Sequence, residues 1–324
     1  MPEAEVMSAP TAPVRTLVIG EALVDAVTTQ DGRTEEHVGG SPANVAFGLA
    51  VLEHPVDLAT WIATDERGRR IEDVCRERGV ALTAGSQGAP FTSVAHATLD
   101  ESGAATYVFD LEWQVAAVPG LAAYAHVHTG SIAAVLEPGG SQVRAILAAA
   151  RELGATVSYD PNARPSLMGR PERARETIEA SIALADVVKL SDEDVAWLCP
   201  GESLDDVLKA WGDLGPAVVV VTRGGDGAIA RVTRTGEQLA LPAPRVEVVD
   251  TVGAGDSFMA GLVSGLLDAG LLGGAEARER LHGAALADVL PAVERALRAG
   301  ALTVERAGAY APARIALSQG QIGH

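Results

Sequence analysis

The segment VEVVDTVGAGDSFMAGLVSGLL, residues 246–267, combines small residues with a single carboxylate. Gly253, Ala254 and Gly255 stand immediately before Asp256, where a strand-like run gives way to a helix-like one. A helix N-terminus carries unpaired N–H groups and a partial positive charge, and small residues leave those groups open to an anion. We therefore expect an anion-binding turn here, with Asp256 beside the anion. At this stage Asp256 is either a cap of the helix or a catalytic base.

Motifs for other phosphate-binding or hydrolytic chemistry do not occur in the sequence. A Walker loop requires Gly-Lys-Ser/Thr, and neither lysine of the chain, Lys189 or Lys209, follows a glycine. A dinucleotide-binding fingerprint requires a third glycine at the position of Phe258, and the segment lies far from the first βα turn. HExxH and GxSxG are absent, so zinc-protease and serine-hydrolase activities have no support.

Apolar strand-like runs alternate with helix-like stretches over most of the chain. The strand-like runs are TLVIG (16–20), VDLATWI (56–62), HVHTG (126–130), ATVSYD (155–160), DVVKLS (186–191) and AVVVVT (217–222). Such alternation predicts βαβ units and an α/β fold with a mostly parallel sheet. Ligands of these sheets bind at the carboxyl ends of the strands, where this chain has polar residues at Thr129, Asp160, Ser191 and Thr222.

Two helices flank the predicted anion site. SPANVAFGLAVL (41–52) predicts a helix with Ser41 as its N-cap and Pro42 at its first helical position. The segment after Asp256 predicts a helix with a buried face, because its apolar residues follow a helical period. These residues form two adjacent rows: Phe258, Leu262, Leu266 and Met259, Val263, Leu267.

Two β-rich segments, residues 21–40 and 91–113, interrupt the alternation of strands and helices. In the second, FTSVAHATLDESGAATYVFDLEW, the turn DESG separates two strand-like runs with a period of two. We expect these segments to form a small antiparallel sheet that stands off the main domain as a lid. A pair of ordinary surface hairpins is the alternative.

Composition narrows the possible partners. The formal net charge of −18 and the pI near 4.7 disfavour nucleic acid and anionic membranes, because both attract basic surfaces. Hydrophobic residues make up 48% of the 324 residues, which is sufficient for a packed core. No apolar run approaches the roughly 20 residues that a membrane-spanning helix needs.

The cysteines and the two ends of the sequence indicate neither a disulfide or zinc site nor a signal peptide. Cys75 and Cys199 are too few for a disulfide framework or a zinc site, and a reducing cytoplasm is the expected location. Residues 1–14 are predicted to form a disordered tail, since they are rich in Pro and Ala and resemble no signal peptide. A second tail is expected at 313–324.

Several segments resemble those of the ribokinase-like (PfkB-type) carbohydrate kinases. DTVGAGDSFMAGL (250–262) is similar to the carboxyl-terminal signature of that family, and GGSPANVAFGLAVL (39–52) to its amino-terminal signature. Shorter similar segments occur in family order: GEALVD (20–25), HTGSIAAVLEPG (128–139), SYDPNAR (158–164), VVKLSDEDVAWL (187–198), VVVTRGGDGA (219–228) and AGALTVERAGAYAP (299–312). The resemblance covers about residues 15–312 and is closest to fructokinases and 2-keto-3-deoxygluconate kinases, which share DPNxR.

This resemblance implies a doubly wound α/β domain with a small β lid, and an ATP-dependent phosphoryl transfer to a sugar hydroxyl. It implies that Asp256 is the general base. It further implies that the N–H groups of Gly253, Ala254 and Gly255 form an anion hole for the transferring phosphoryl group, with Gly253 and Gly255 also next to the nucleotide. These roles agree with the anion-binding turn expected from the residues themselves.

The resemblance also implies a sugar-binding site. Asp25, Gly39, Gly40 and Asn44 are expected to hold the sugar hydroxyls. Carboxylate and amide groups suit this role because they hydrogen-bond hydroxyls, and glycines let the backbone approach the ligand closely.

A second set of residues is implied to contact the phosphates and the nucleotide. Asn162 and Arg164 are expected to reach the transferring phosphate, where a guanidinium neutralises charge. Thr222, Gly224 and Gly227, which follow the four valines of 218–221, match nucleotide-contacting positions.

Two aspartates are implied to organise cations. Many relatives carry Asn-x-x-Glu where this chain has Ser191 and Asp194, and Asp194 is expected to bind Mg²⁺ through water. Asp250 matches a loop that binds a monovalent cation such as K⁺ in that family. The lid strand YVFDLEWQ (107–114) lacks the arginine that is typical of fructokinases.

The sequence therefore predicts an ATP-dependent, fructokinase-like sugar kinase. Kinases for 2-keto-3-deoxygluconate, ribose or a nucleoside are alternatives, as are a non-catalytic sugar-binding or regulatory protein and a Rossmann oxidoreductase. A homodimer through the lid is also expected, because a small sheet is barely stable without a surface to pack on. Val94, Val108 and Leu111 are the apolar candidates for that contact.

Overall fold

The computed structural model describes residues 14–28, 32–99 and 105–318. The strands within these ranges are β1 Thr16–Ile19, β2 Leu23–Thr28, β3 Thr34–Gly39, β4 Val56–Ala59, β5 Ala81–Leu82, β6 Val94–Leu99, β7 Ala105–Asp110, β8 His126–Gly130, β9 Thr156–Asp160, β10 Val187–Ser191, β11 Val218–Thr222, β12 Ala228–Val232 and β13 Gln238–Leu241. The α-helices are α1 Ser41–Val51, α2 Glu66–Glu77, α3 Gly139–Glu152, α4 Pro165–Met168, α5 Pro171–Ile182, α6 Asp192–Leu198, α7 Leu204–Gly212, α8 Ala254–Asp268, α9 Ala275–Gly283, α10 Leu286–Val304 and α11 Arg314–Ser318.

A nine-stranded sheet forms the centre of the molecule, in the order β13-β12-β11-β10-β9-β8-β1-β4-β5. All neighbouring strands are parallel except at one edge, where β12 pairs antiparallel with β11 and with β13. From β1 the chain moves outward to β4 and β5, and then returns to the other side of β1 at β8. This reversal creates a crevice at the carboxyl ends of β1 and β8, the usual place for a ligand in such sheets.

Helices cover both faces of this sheet. In β11 the side chains of Val218 and Val220 belong to one hydrophobic cluster, which includes α1, α8 and α10. Val219 and Val221 belong to a second cluster, which includes α3, α5 and α7. All four valines are fully buried, as expected for a run of apolar residues in a parallel strand. The predicted doubly wound α/β architecture is confirmed.

Helix α8 packs unusually closely on its neighbours because small residues lie at the contacts. A Cβ added to Gly48 of α1 would lie 2.6 Å from the Cβ of Ala260 in α8. A Cβ added to Gly265 of α8 would lie 2.6 Å from the Cα of Ala292 in α10. Both apolar rows predicted for α8 are buried. This packing fixes the N-terminus of α8 against the N-terminus of α1.

The second sheet has four strands in the order β3-β2-β6-β7. The pairs β2–β3 and β6–β7 are antiparallel, as predicted for the lid, whereas the central pair β2–β6 is parallel. The DESG turn predicted at residues 100–103 lies outside the described residues. Of the apolar residues proposed for a lid contact, Val94 is only 2% exposed within its own chain. Val94 was therefore a wrong candidate for a surface contact, because its side chain is already covered.

Two further sequence expectations fall at the ends of elements. Helix α1 begins at Ser41 with Gly40 as its N-cap, so the prediction that Ser41 caps the helix was wrong by one residue. Residues 1–13 and 319–324 of the predicted tails lie outside the described residues, while Arg314–Ser318 forms α11. Within the described part of the chain, no helix is both long enough and apolar enough to cross a membrane.

Candidate active site

The carboxylate of Asp256 contacts the start of α1. Its Oδ1 accepts a hydrogen bond from the Ser41 hydroxyl at 2.7 Å, and its Oδ2 accepts one from the Asn44 amide at 2.8 Å. Asp256 is 7% exposed although it lies in the first turn of its helix. The close packing of α1 on α8 thus places three polar side chains together at the ends of the two helices.

Aspartates at the same position of two other helices show how a capping carboxylate is oriented in this protein. Asp194 in α6 and Asp288 in α10 occupy the same third position, and the carboxylate of each accepts a bond from the backbone N–H of its N-cap residue. The N-cap of α8 is Gly253, and the bonds made by the Asp256 carboxylate go to side chains of another helix instead. The orientation of Asp256 is that of a group facing a site between α1 and α8.

A chain of hydrogen bonds extends from Asp256 to the loop after β9. The Asn162 amide donates to the Ser41 hydroxyl at 2.7 Å, and this hydroxyl donates to Asp256. The Arg164 guanidinium donates to the Asn162 side-chain oxygen, also at 2.7 Å, and to two backbone carbonyls of its own loop. Ser41 was missed as a site residue because a serine before a helix is usually assigned to capping.

Asn162 has a backbone conformation that favours few residue types. Its φ of 36° lies in the left-handed region, which asparagine tolerates better than most residues. This turn directs the amide of Asn162 towards Ser41 rather than along the strand direction of β9. Non-glycine residues in this region cluster at functional sites, since the strain is maintained only where other contacts hold it.

The predicted sugar-binding residues surround the same centre. A Cβ on Gly39 would lie 2.0 Å from Oδ2 of Asp25, so only glycine allows this carboxylate its position. Gly40 has a φ of 104°, and a Cβ there would lie 2.4 Å from the carbonyl oxygen of Glu21. Burial raises the pKa of Asp25 to about 6, and the charge of Asp256 acts in the same direction. The structure thus brings together Asp25, Gly39 and Gly40 with the α1 N-terminus.

Glu21, directly after the first strand, is a site residue that sequence reasoning missed. It is 6% exposed, and within the described residues its Oε2 has no hydrogen-bond partner. Burial raises the pKa of Glu21 to about 7, against a hydrogen bond with Ser131 and the positive charge of Arg164. The signal was present in GEALVD, where a second carboxylate stands four residues before Asp25 in an otherwise apolar segment.

The anion-binding turn is shaped by its glycines. Gly253 has a φ of 75°, and a Cβ there would lie 2.8 Å from the Cα of Ala309. The Ala254 N–H donates to the Thr251 carbonyl at 3.2 Å, which is long for such a bond. The first N–H groups of a helix have no partner inside the helix. The turn therefore presents backbone donors at the site that contains Asp256.

The predicted nucleotide-contacting residues follow β11. Thr222 ends the strand and its hydroxyl donates to the Leu190 carbonyl at 3.3 Å. Gly224 has a φ of 51°, and a Cβ there would meet nothing within 4 Å. A Cβ on Gly227 would lie 2.0 Å from the carbonyl oxygen of Leu241, so packing against β13 by itself requires glycine there. The nucleotide contacts of these three residues remain predictions.

The carboxylate of Asp194 holds two loops together. Its Oδ1 accepts a bond from the Ala163 N–H and its Oδ2 one from the Ser191 N–H, each at 2.8 Å. Each oxygen retains a lone pair, so a water-mediated contact to a metal stays compatible with this arrangement. Among the described residues there is no group of three or more His, Cys, Asp or Glu side chains that could hold a metal directly. The predicted Mg²⁺ contact of Asp194 thus stays a prediction.

Asp250, predicted for a monovalent cation, also stabilises a pair of loops. Its carboxylate oxygens accept bonds from the Val252 N–H at 3.0 Å and from the Gly308 N–H at 2.7 Å. These two bonds lower the pKa of Asp250. A loop ordered in this way can direct backbone carbonyls at a cation, but the cation contact of Asp250 remains a prediction.

Two cavities differ in their relation to this centre. A small cavity of about 140 Å³ is lined by residues 162–165 and by Ser191, Glu193, Asp194 and Trp197, directly beside the predicted phosphate-contacting loop. A larger one, of about 710 Å³, is lined only by residues between 72 and 88, along β5 and the end of α2. The chemistry of the side chains, rather than cavity size, therefore locates the site.

Comparison with known proteins identifies the family of this chain. The sequence model described as pfkB family carbohydrate kinase matches residues 15–316. The chain belongs to this family. A fructokinase of Klebsiella pneumoniae is 34% identical over 265 residues, which are 78% of this chain and 85% of that protein.

Solved structures of this family resemble the whole fold. Fructokinase with bound ATP from Xylella fastidiosa matches with a TM-score of 0.80 and 25% identity, over 94% of this chain and 97% of that one. A double mutant of Vibrio cholerae fructokinase with bound fructose, ADP and potassium matches with a TM-score of 0.76 and 29% identity, over 94% and 97% of the two chains. This pfkB family member is therefore an ATP-dependent sugar kinase.

Proposed function

We propose that this kinase transfers the terminal phosphoryl group of ATP to a hydroxyl of fructose or a closely related sugar, with Asp256 as the general base. The observation that carries the proposal is the orientation of the Asp256 carboxylate. It lies beside the anion-binding turn and bonds Ser41 and Asn44 of α1, while Asp194 and Asp288, at the same position of α6 and α10, accept the backbone N–H of their own N-cap residues. A base must lie within hydrogen-bond reach of the proton that it removes.

The neighbours of Asp256 keep its carboxylate oriented. The Ser41 hydroxyl and the Asn44 amide each donate to a different oxygen, which fixes the plane of the carboxylate before a sugar binds. A sugar hydroxyl that approaches this carboxylate donates its proton to Asp256 as its oxygen bonds to phosphorus and the ADP oxygen leaves. Bonds from Asn162 to Ser41 and from Arg164 to Asn162 connect this centre to the predicted phosphate-contacting loop.

Charge that develops on the transferring phosphoryl group is stabilised by the α8 N-terminus. Gly253, Ala254 and Gly255 provide backbone N–H groups at the positive end of the helix dipole. Phosphoryl transfer depends mostly on positioning and on such electrostatic stabilisation. Arg164 is proposed to move its guanidinium from its own loop to the phosphate when the nucleotide binds.

The sugar is held by Asp25, Gly39, Gly40 and Asn44. Because burial places the pKa of Asp25 near 6, this carboxylate is mainly ionised at neutral pH and accepts bonds from two sugar hydroxyls. Burial raises the pKa of Glu21 to about 7, and a carboxyl group can donate to a hydroxyl when protonated and accept from one when ionised.

The nucleotide is proposed to bind along Thr222, Gly224 and Gly227, with its phosphates towards α8. Mg²⁺ bound with it would neutralise phosphate charge, and Asp194 would orient that ion through water. Asp250 would order the loop for a K⁺ ion, as the potassium-bound Vibrio cholerae fructokinase suggests. Such an ATP-dependent reaction, with two free buried cysteines, fits a cytoplasmic enzyme.

A screen for ADP release over ketoses, aldoses, sugar acids and nucleosides tests the proposed function. We expect the largest kcat/KM with fructose, and the Asp256→Asn variant is the control for contaminating kinase activity. A larger kcat/KM with 2-keto-3-deoxygluconate, ribose or a nucleoside would change the acceptor and keep the mechanism. Binding of a sugar and ATP without any ADP release would instead identify a non-catalytic sugar-binding protein.

A further inference from the structure

A buried ion pair lies behind the anion-binding turn. Lys189 of β10 donates to Oδ2 of Asp160, at the end of β9, over 2.8 Å, and the two side chains are 4% and 1% exposed. Transfer of two charges from water to a protein interior has a large desolvation penalty, and an apolar pair of similar size is often as stable. Stability alone therefore gives a weak reason for this pair. Lys189 is also one of only two lysines among the 25 Lys and Arg residues of the chain.

The ammonium group of Lys189 lies directly against the backbone of the turn. A Cβ on Gly255 would be 3.1 Å from Nζ of Lys189, a tight contact that a larger residue could make only if the ammonium shifted slightly away from the first turn of α8. The carboxylates of Asp194 and Asp256 lie within the electrostatic range of the same ammonium. The fixed positive charge thus stands beside the backbone donors that are proposed to hold the phosphoryl group.

Lys189 carries its charge at neutral pH. Burial by itself would lower its pKa, but the carboxylate of Asp160 and, less strongly, those of Asp194 and Asp256 raise it on balance. The neighbouring imidazole of His128 adds no positive charge, because burial lowers its pKa to about 3. The ammonium of Lys189 is thus one cation among three carboxylates, Asp160 at the end of β9, Asp194 in α6 and Asp256 in α8.

The environment of Asp160 indicates that its ion pair with Lys189 does more than neutralise two buried charges. Its Oδ1 has no hydrogen-bond partner among the described residues, although the side chain is almost fully buried. Burial also raises the pKa of Asp160 to about 6, in spite of the adjacent ammonium. Asp160 thus retains one unpaired carboxylate oxygen, Oδ1, while its other oxygen holds the Lys189 ammonium beside Gly255.

We propose that Lys189 is a positioning residue for phosphoryl transfer, whose buried ammonium reinforces the positive end of α8 behind the Gly253–Gly255 turn. This inference rests on the proposed function. A preorganised charge in a water-excluded site stabilises developing negative charge without reorganisation during the reaction. Because Lys189 lies behind the turn and outside the sugar site, its charge acts on kcat far more than on the KM for the sugar.

The test compares variants that keep the volume and change the charge. Lys189→Met alone leaves Asp160 buried without a counter-charge, so that variant is at risk of misfolding. The double variant Lys189→Met/Asp160→Asn removes both charges and leaves a neutral pair of similar size. Lys209→Met, at an exposed position of α7, is the matched control for the same chemical change.

We expect the folded double variant to lose roughly 10- to 100-fold in kcat, less than the loss reported for removal of a direct oxyanion donor, with a change in sugar KM below about threefold. Thermal unfolding verifies that it folds, and the Lys209→Met control should retain wild-type kcat and KM. A double variant with kcat within about threefold of wild type would overturn the proposal and reduce the pair to a structural role. A wild-type protein that phosphorylates no acceptor would refute the proposed function first, and the inference with it.

Discussion

The α8 N-terminus and the four-stranded lid differ in how many of their polar groups and apolar side chains have partners within this chain. At the α8 N-terminus short hydrogen bonds join Arg164 through Asn162 and Ser41 to Asp256, and Ser41 and Asp256 are buried while Asn162 and Arg164 are half-buried. In the lid, β3 and β7 each pair with a strand on one side only within the described part of the chain, and Val108 of β7 is 62% exposed. The candidate site is thus largely preformed within one chain, whereas the lid leaves edges and an apolar side chain for another surface.

The lid and the candidate site are connected at Asp25. Asp25 belongs to β2, the strand of the lid that leads directly from the end of β1. The lid is fixed to the main domain through Glu36 of β3, whose carboxylate accepts a bond from Arg67 of α2 at 3.0 Å. Changes in the preformed centre should therefore affect catalysis directly, while changes in the lid should act on sugar binding and on association between chains.

The largest effect is expected from Asp256→Asn in the preformed centre. The variant should fold and bind ATP, but its turnover should fall by roughly 10²- to 10⁴-fold, the usual contribution of a general base. An amide at this position keeps the volume and some bonds to α1, yet it cannot accept the hydroxyl proton. Steady-state kinetics with thermal unfolding and ATP calorimetry measures these quantities.

The matched control for this variant is Asp288→Asn in α10. Asp288 occupies the same position in its helix and is exposed, and its carboxylate accepts the Ala285 N–H at 2.8 Å. That variant should lose a small amount of stability, on the order of 1 kcal/mol, with unchanged turnover. If Asp256→Asn behaved like Asp288→Asn, Asp256 would be a helix cap and the proposed base would be wrong.

Asp25→Ala and Asn44→Ala separate the lid strand from the centre and should have intermediate effects. Asp25→Ala should raise the sugar KM roughly 10- to 100-fold, because hydrogen bonds to a charged group contribute about 1.5–3 kcal/mol, and should leave kcat within a fewfold of wild type. Asn44→Ala should raise the sugar KM and also lower kcat, because the Asn44 amide orients Asp256. ATP affinity should change little in both variants.

Calorimetry with ATP and kinetics with varied sugar distinguish the two outcomes. A fall in ATP affinity with an unchanged sugar KM would mean that the sugar and nucleotide sites had been assigned in reverse. An equal effect of both substitutions on KM alone would remove Asn44 from the positioning of the base.

The fold could be predicted from the sequence because strong local patterns coincide with its central elements. The valine run 217–222 contains the buried strand β11 of the central sheet, and the apolar rows after Asp256 form the buried face of α8. The small sheet was also predicted, but the parallel pairing of β2 with β6 depends on contacts between distant segments. Periodicity within a segment does not identify the distant strand with which that segment pairs.

The residues of the candidate site were predicted less evenly. The signature segments indicated Asp25, Asn44 and Asp256, and the side chains of these three residues do converge. They did not indicate Ser41 or Lys189 as site residues. A serine at a helix start and a lysine in an apolar strand have ordinary local explanations, and their contacts join residues 215 and 29 positions apart in the chain. Such long-range contacts depend on packing, which one sequence without its fold does not specify.

The smallest effect on catalysis is expected from the lid surface, through association of two chains. Two lid sheets that pack by two-fold symmetry would cover Val108 and shield the edges of β3 and β7, which are otherwise open to further pairing. We therefore expect a dimer in light scattering at micromolar concentrations of the protein.

Val108→Lys tests this contact against a matched control. Because a charged side chain in an apolar interface is costly to desolvate, this variant should raise the dimer dissociation constant at least about tenfold. Leu153→Lys, at a residue that is 56% exposed after α3, should leave the dissociation constant unchanged. Turnover at saturating sugar should change less than about threefold in both variants, since the centre is preformed within one chain. A wild-type protein that remains monomeric at every concentration, with full kinase activity, would show that the lid closes over its own site without a partner.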